Sequence, residues 1–404
     1  MNDKNLKFIE NYIDNISSEN TLPNIEYRIS HLLFYATYYE YSGLEQYKNK
    51  AIKLYENIVE DYDNHDLKFS LYEGIEGLGW ACIYLNKCNV INDYSIFEDL
   101  LDYLYKSLNI SIINHDWDLL YGYMGKMGVI LSSPLQSQEA RKNEYIVKIL
   151  DDLNKTKVVK ENGYFWFENR EDEIVNLGLA HGLFSILLFL LKIQESGFES
   201  VLLKQLIDGT KNAIVLSVNS KKSISIFPNG ISFNENTDSN LFSFSRLAWC
   251  YGDLGALYSL VKYNQKYKEE KIDLLINNLI EVLTLRGIGT SGLIHFSKED
   301  FFDTGFCHGL SGIYYLLQIS SNLLPNDKYL KKRINYWQEQ ININLEKISI
   351  LNVDEVYYPN DFTSLSFPQK YEKDSFLNGY AGIGLTLLSI KYNRYGWSEF
   401  LLLG

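Results

Sequence analysis

Six segments of this chain begin with a glycine, usually carry a second three residues later, and then run apolar. They are Gly74-Ile-Glu-Gly77, Gly122-Tyr-Met-Gly125, Gly182-Leu-Phe-Ser185, Gly252-Asp-Leu-Gly255, Gly309-Leu-Ser-Gly312 and Gly379-Tyr-Ala-Gly382, the third with serine in the second place. With their close flanks they hold 16 of the 26 glycines, so glycine here marks a position rather than a composition. The first glycines stand 48, 60, 70, 57 and 70 residues apart, which is room for two helices and their loops. Residues three apart share a helix face, so a glycine pair strips that face and lets neighbouring backbones approach. Helix starts that converge in this way also present N–H groups and positive dipole ends to one region.

The stretches between the segments are amphipathic. Residues 96–109, 143–155, 201–218 and 271–285 space their apolar side chains three and four apart, as half-buried helices do. The glycine-led helices are apolar nearly all round and should be buried beneath them. Such alternation predicts an all-α chain, an α/α toroid in a single domain spanning 1–404. Residues 27–40 supply a further inner helix without the glycine pair, followed by an outer helix from Leu44 to about Glu60. A helix near Leu6–Ile16 then closes the ring at about seven inner and seven outer helices. Four stretches read as short β-like insertions: 157–175, 223–233 with a hairpin around Pro228-Asn229-Gly230, 289–302 and 355–362. Each precedes a glycine segment, on the rim where inner helices begin.

Composition closes off several function classes. Hydrophobic residues at 46% and charged residues at 22% exclude a disordered chain. A net charge of −13, with basic residues scattered, argues against nucleic acid or an anionic membrane surface as partner. No segment reaches about 18 consecutive apolar residues and the N-terminus lacks a signal-peptide core, so the cytosol is the expected compartment. Four cysteines, Cys82, Cys88, Cys250 and Cys307, do not suggest a disulfide framework there.

Polar residues crowd the position just before the glycines. Cys250 and Cys307 stand two residues ahead of Gly252 and Gly309, while His181 and His308 stand one residue ahead of Gly182 and Gly309. Arg246, Tyr251 and Asp118 lie in the same approaches. Two thiols and an imidazole have the chemistry of a zinc site, although no zinc-finger spacing is present. Two buried thiols and a satisfied core histidine remain the plainer reading of the same residues.

Residues 244–255 (FSRLAWCYGDLG), 305–317 (GFCHGLSGIYYLL), 178–186 (GLAHGLFSI) and 376–385 (FLNGYAGIGL) resemble the lanthionine synthetase C-like family, the lantibiotic cyclases. The resemblance runs from the first glycine segment to the end of the chain. It implies a toroid of seven inner and seven outer helices and one zinc ion held by Cys250, Cys307 and His308. Two departures are visible: Asp253-Leu254 where the family usually has proline, and Ser185 where a second glycine is common. Residues 157–175 could be a short form of a β-rich insertion that some members carry.

The implied reaction adds peptide cysteine thiols to dehydroalanine or dehydrobutyrine in a dehydrated precursor peptide, closing (methyl)lanthionine thioether rings. His181 suits the general acid that protonates the resulting enolate, and Asp118 would orient and charge it. Arg246 is the cation for a site with excess negative charge, and Tyr251 a hydrogen-bonding group beside it. A dehydratase and a peptide exporter are the implied partners, with association at a membrane complex but no insertion. Two alternatives keep the fold and change the chemistry. One is a non-catalytic zinc-containing scaffold that binds glutathione or another thiol. The other is an α/α-barrel glycosidase using the rim acids Asp118, Asp303 and Asp374.

Overall fold

The computed structural model describes residues 3–18, 25–62, 71, 74–168, 171, 173–219, 223–234, 244–351, 356–357 and 370–404. Fourteen α-helices lie among them: α1 Asp3–Ser18, α2 Ile25–Ser42, α3 Glu45–Tyr62, α4 Ile75–Lys87, α5 Ser95–Ile113, α6 Tyr123–Ser132 and α7 Glu139–Thr156. Then come α8 Leu183–Glu195, α9 Val201–Leu216, α10 Asp253–Tyr267, α11 Glu270–Leu285, α12 Leu310–Leu323, α13 Lys328–Ile348 and α14 Tyr380–Tyr392. All six first glycines therefore sit immediately before a helix, and the second glycine takes its third position. Helix α13 completes the alternation with buried Leu330, Ile334, Trp337, Ile341 and Leu345 along one face.

The chain divides into two compact units. One comprises residues 1–101, 293–315 and 332–398, the other 102–292, 316–331 and 399–404. In the second unit α6, α8 and α10 pack side by side in order, and each also packs against the helix that follows it, α7, α9 and α11. Burial separates the two series. In α8 the first nine residues, Leu183 to Leu191, are all buried, whereas α11 buries Ile272, Ile276, Leu279, Ile280 and Leu283 along one stripe. In the first unit α14 packs beside α2, α2 beside α4, and the N-terminal helix α1 lies on α14. Tyr12 donates to Asp374 at 2.5 Å, and the Phe8 and Tyr380 rings meet edge to face at 5.5 Å. The first helix is thus the partner of the last, as the pairing read from the sequence requires.

The glycines act differently from the sequence expectation. A Cβ on Gly122, Gly182, Gly252, Gly309 or Gly379 would meet the backbone of the chain's own preceding loop, far inside van der Waals contact. The loop curls back over the helix start, and only a bare Cα leaves room for it. Gly252 alone of these has a positive φ, +91°, so a side chain there would be strained as well as crowded. The same curl satisfies helix donors. Tyr123 N–H reaches Asp116 O at 2.9 Å, Leu310 N–H reaches Asp303 O at 2.9 Å, and Tyr380 N–H reaches Lys373 O at 2.8 Å. These helix starts are not the open dipole ends expected, because a loop carbonyl seven residues back caps each first N–H. Close approach to other elements falls to later glycines. A Cβ on Gly255 would press on Leu179 in the loop before α8, and one on Gly384 on Phe34 of α2 and Ile9 of α1.

Among the described residues three short antiparallel pairs occupy the loops. Strands β1 Val158–Lys160 and β2 Gly163–Phe165 form a hairpin; β3 Ile174–Asn176 pairs with β4 Gly230–Ser232; β5 His295–Phe296 pairs with β6 Phe301–Phe302. The hairpin expected around Pro228-Asn229-Gly230 does not form, because β4 takes β3 as its partner. Of the 355–362 stretch only 356 and 357 are among the described residues, and Tyr357 bridges Lys370.

Candidate active site

In the second unit the loop before each inner helix carries the expected residues. His181 Nδ1 hydrogen-bonds Asp118 Oδ2, although 63 residues separate them. Asp118 is itself held, since its Oδ1 accepts the N–H groups of Leu120 at 2.7 Å and Tyr121 at 2.8 Å. Burial pulls the His181 pKa down. The hydrogen bond and charge of Asp118, helped by Cys250 and Glu168, outweigh that and leave it raised above 6.5. The imidazole is therefore favoured as a cation near neutral pH while keeping some solvent access.

Cys250 is buried, and its carbonyl accepts the Ala180 N–H at 3.4 Å, which ties the third rim loop to the fourth. Gly178 packs directly on that carbonyl. Tyr251 receives a hydrogen bond from Asn176 Nδ2 at 3.1 Å, and the Arg246 guanidinium lies 5.7 Å from its ring centre. Burial pushes the Tyr251 phenol up to about 12, so it stays protonated. The unit thus brings together Asp118, His181, Arg246, Cys250 and Tyr251, all anticipated, and adds Asn176 and Glu168, which were not. Glu168, Trp117, His115 and Phe167 line a cavity of about 570 Å³, in the size range of ligand pockets.

Behind Cys250 the buried Asp253 carboxylate accepts the N–H groups of Ile226 at 3.1 Å and Phe227 at 2.8 Å and lies 3.6 Å from Arg286. Arg286 in turn donates to Ser245 O at 2.6 Å. Burial raises the Asp253 pKa to about 6 in spite of these partners. The departure from the family pattern at this position therefore serves as a clasp on the loops leading to Arg246 and Cys250.

The first unit holds Cys307 and His308. Cys307 N–H donates to Leu377 O at 2.8 Å, so the fifth rim loop rests on the sixth as the third rests on the fourth. His308 Nδ1 lies 2.7 Å from Asp303 Oδ2, and Asp303 Oδ1 accepts the Gly305 N–H at 2.8 Å. With Nδ1 committed to a fully buried carboxylate, coordination by His308 would fall to Nε2, the usual arrangement for a metal-binding imidazole. Asp303, counted in the sequence only as a rim acid, is its orienting partner. The readable signal was an Asp or Asn six residues before the helix glycine, shared by Asp116, Asn176 and Asp303.

The four cysteines form no disulfide. Among the described residues no group of three or more His, Cys, Asp or Glu side chains stands close enough to hold a metal ion. Cys307 and His308 belong to one unit and Cys250 to the other. The residue types themselves have zinc-binding chemistry: two thiols, and an imidazole whose second nitrogen a carboxylate already holds. Among the described residues no helix is long and apolar enough to cross a membrane.

The structure of nisin cyclase superposes with a TM-score of 0.70 at 19% identity, covering 98% of this chain and 97% of that one. This likeness shows the fold, the all-α toroid predicted from the glycine repeat. A crystal structure of an unsaturated glucuronyl hydrolase specific for heparin covers 97% of both chains at 9% identity and a TM-score of 0.46. No curated protein matches the sequence. The profile described as lanthionine synthetase C-like protein matches residues 28–402, nearly the whole chain, and the protein belongs to that family.

Proposed function

We propose that the chain is a peptide cyclase that adds cysteine thiols to dehydroalanine or dehydrobutyrine residues, forming the thioether rings of a lantibiotic. The observation that carries this reading is the His181–Asp118 pair beside Cys250 and Tyr251 in a lanthionine synthetase C-like chain. The fold match to a protein named nisin cyclase supports it further. Cys250, Cys307 and His308 are the proposed ligands of one zinc ion. When bound, zinc would hold the substrate thiol as thiolate at neutral pH.

The protein's own residues supply the rest. Addition of sulfur to the β-carbon leaves an enolate, which needs a proton at the α-carbon and a donor for its oxygen. His181, charged and aligned by Asp118, gives the proton. Arg246 offsets the negative charge, and the protonated Tyr251 offers a hydrogen bond. The cavity beside Glu168 gives the flanking peptide somewhere to lie. A dehydro residue must be made before it can be attacked, so a Ser/Thr dehydratase acts first, and an exporter is the proposed later partner. The glycosidase alternative loses support because each rim acid it would use is already bound: Asp118 to His181, Asp303 to His308, Asp374 to Tyr12.

The test is to incubate the zinc-loaded protein with a dehydrated peptide containing cysteine and follow loss of free thiol at constant peptide mass. Ring formation by the wild type and its loss in His181→Ala supports the proposal. A wild type that binds thiols but closes no ring would instead indicate the scaffold alternative.

A further inference from the structure

Asn176 ends β3, opposite Gly230 of β4, and is almost fully buried. Its Oδ1 accepts the Gly178 N–H at 2.8 Å, so the backbone decides which end of the amide is oxygen and which is NH2. The two NH2 hydrogens are then both spent: Nδ2 lies 3.1 Å from Glu168 Oε2 and 3.1 Å from Tyr251 Oη. Tyr251 is therefore an acceptor toward Asn176. A phenol has one proton, and Asn176 offers no acceptor on that side, so the Tyr251 O–H is directed elsewhere.

The geometry points to Asn176 as a positioning residue that holds the Tyr251 phenol as a hydrogen-bond donor to the carbonyl oxygen of the reacting dehydro residue. This rests on the cyclase reading and extends it. As the sulfur electron pair forms the S–Cβ bond, the Cα=Cβ pair moves onto the carbonyl and its oxygen becomes negative. Tyr251 contributes a hydrogen bond to that oxygen and keeps its proton; the proton at Cα comes from His181. A phenol free to spin would spend part of its time turned away. One already accepting from an amide set in a β-ladder is oriented before substrate arrives, which is what makes such donors effective. Glu168 completes the arrangement by taking the second amide hydrogen, so the amide cannot twist away from Tyr251.

The test exploits an isosteric reversal. Asn176→Asp keeps an oxygen for the Gly178 N–H but places a carboxylate oxygen where the NH2 stood, so the Tyr251 O–H turns toward residue 176. The expected result is a kcat lowered roughly 100-fold, as for loss of one oxyanion donor, with KM within about twofold. Tyr251→Phe should then cost almost nothing more in that background, although it costs a similar factor in the wild type. Two kinetic results would overturn the inference: the same fractional loss from Tyr251→Phe in both backgrounds, or recovery of wild-type kcat on adding Glu168→Gln, which would trace the loss to charge repulsion. A readout independent of activity is the ¹³Cζ resonance of Tyr251. It should move between wild type and Asn176→Asp as the phenol changes from acceptor to donor, and an unmoved resonance refutes the inference whether or not any peptide is cyclised.

Discussion

His181 and His308 occupy the same place in the repeat, one residue before a helix glycine, and each is held by an aspartate, yet the two aspartates come from different places. His308 is held by Asp303 of its own loop, five residues back, with 11% of its side chain exposed and the carboxylate fully buried. His181 reaches Asp118 in another loop and keeps 28% of its side chain exposed. The difference starts six residues before the glycine, where one loop has Asp303 and the other Asn176. Both side chains cap the N–H two residues on. Only the aspartate has a second acceptor oxygen for a local histidine, so His181 must look outside its loop. One amide-for-carboxylate exchange thus separates a histidine held within its own loop from one that reaches across to another.

The largest effects should come from removing each histidine. His181→Ala should lower kcat by roughly 10²–10⁴-fold and leave zinc content unchanged, whereas His308→Ala or Cys307→Ala should lose the metal, both read by kinetics with metal analysis. Equal zinc loss in both histidine variants would erase the distinction. Next, Asp303→Asn gives His308 the loop pattern of His181 and removes the carboxylate behind it. Zinc affinity should fall about 10–100-fold, measured by competition with a chelator, with the shortfall in activity made up by added zinc.

Asp118→Asn should be read in the pH profile. The His181 pKa is raised, so the protonated acid persists above pH 6.5 and kcat should decline as pH rises through that raised value. Without the carboxylate the decline should move to lower pH; an unmoved limb would mean that another group is the acid. The smallest effect on the comparison, though not on stability, is expected at the clasp behind Cys250. Asp253→Asn leaves the buried Arg286 without its counter-charge and should cost about 3 kcal/mol in chemical denaturation, with no change in the His181 limb.

Much of this could be read in advance because helix starts, burial and repeat position are local properties of a sequence. The six glycines mark their helices to the residue, and the apolar spacing in α3, α5, α7, α9 and α11 marks the partner helices. Helix α13 carries the same spacing in Leu330, Ile334, Trp337 and Ile341 and went unnamed among many charged neighbours. Pairing across distance is harder to read. Nothing near Gly230 indicates that its strand prefers Ile174–Asn176 to a hairpin of its own, and Asp118 falls to His181 through the family resemblance and the acid that the reaction needs, not through any signal next to His181. Asp303 and Asn176 were visible as residues, but their roles depend on which oxygen or nitrogen a loop N–H has already claimed.

The pairing of α1 with α14, and of α14 with α2, has a consequence for how the chain comes into being. Tyr12 and Asp374 are 362 positions apart, and the flank of α2 (Ile25–Ser42) that α14 (Tyr380–Tyr392) covers likewise stays bare until α14 has been made. At 5–20 residues per second that interval is roughly 20–70 s, long compared with most elementary folding events. Helices α1 and α2 must wait, with that flank exposed, for a partner made more than 300 residues later. Synthesis at reduced temperature or with chaperones in excess should therefore improve the soluble yield of this chain more than any single stabilising substitution within α1 or α2.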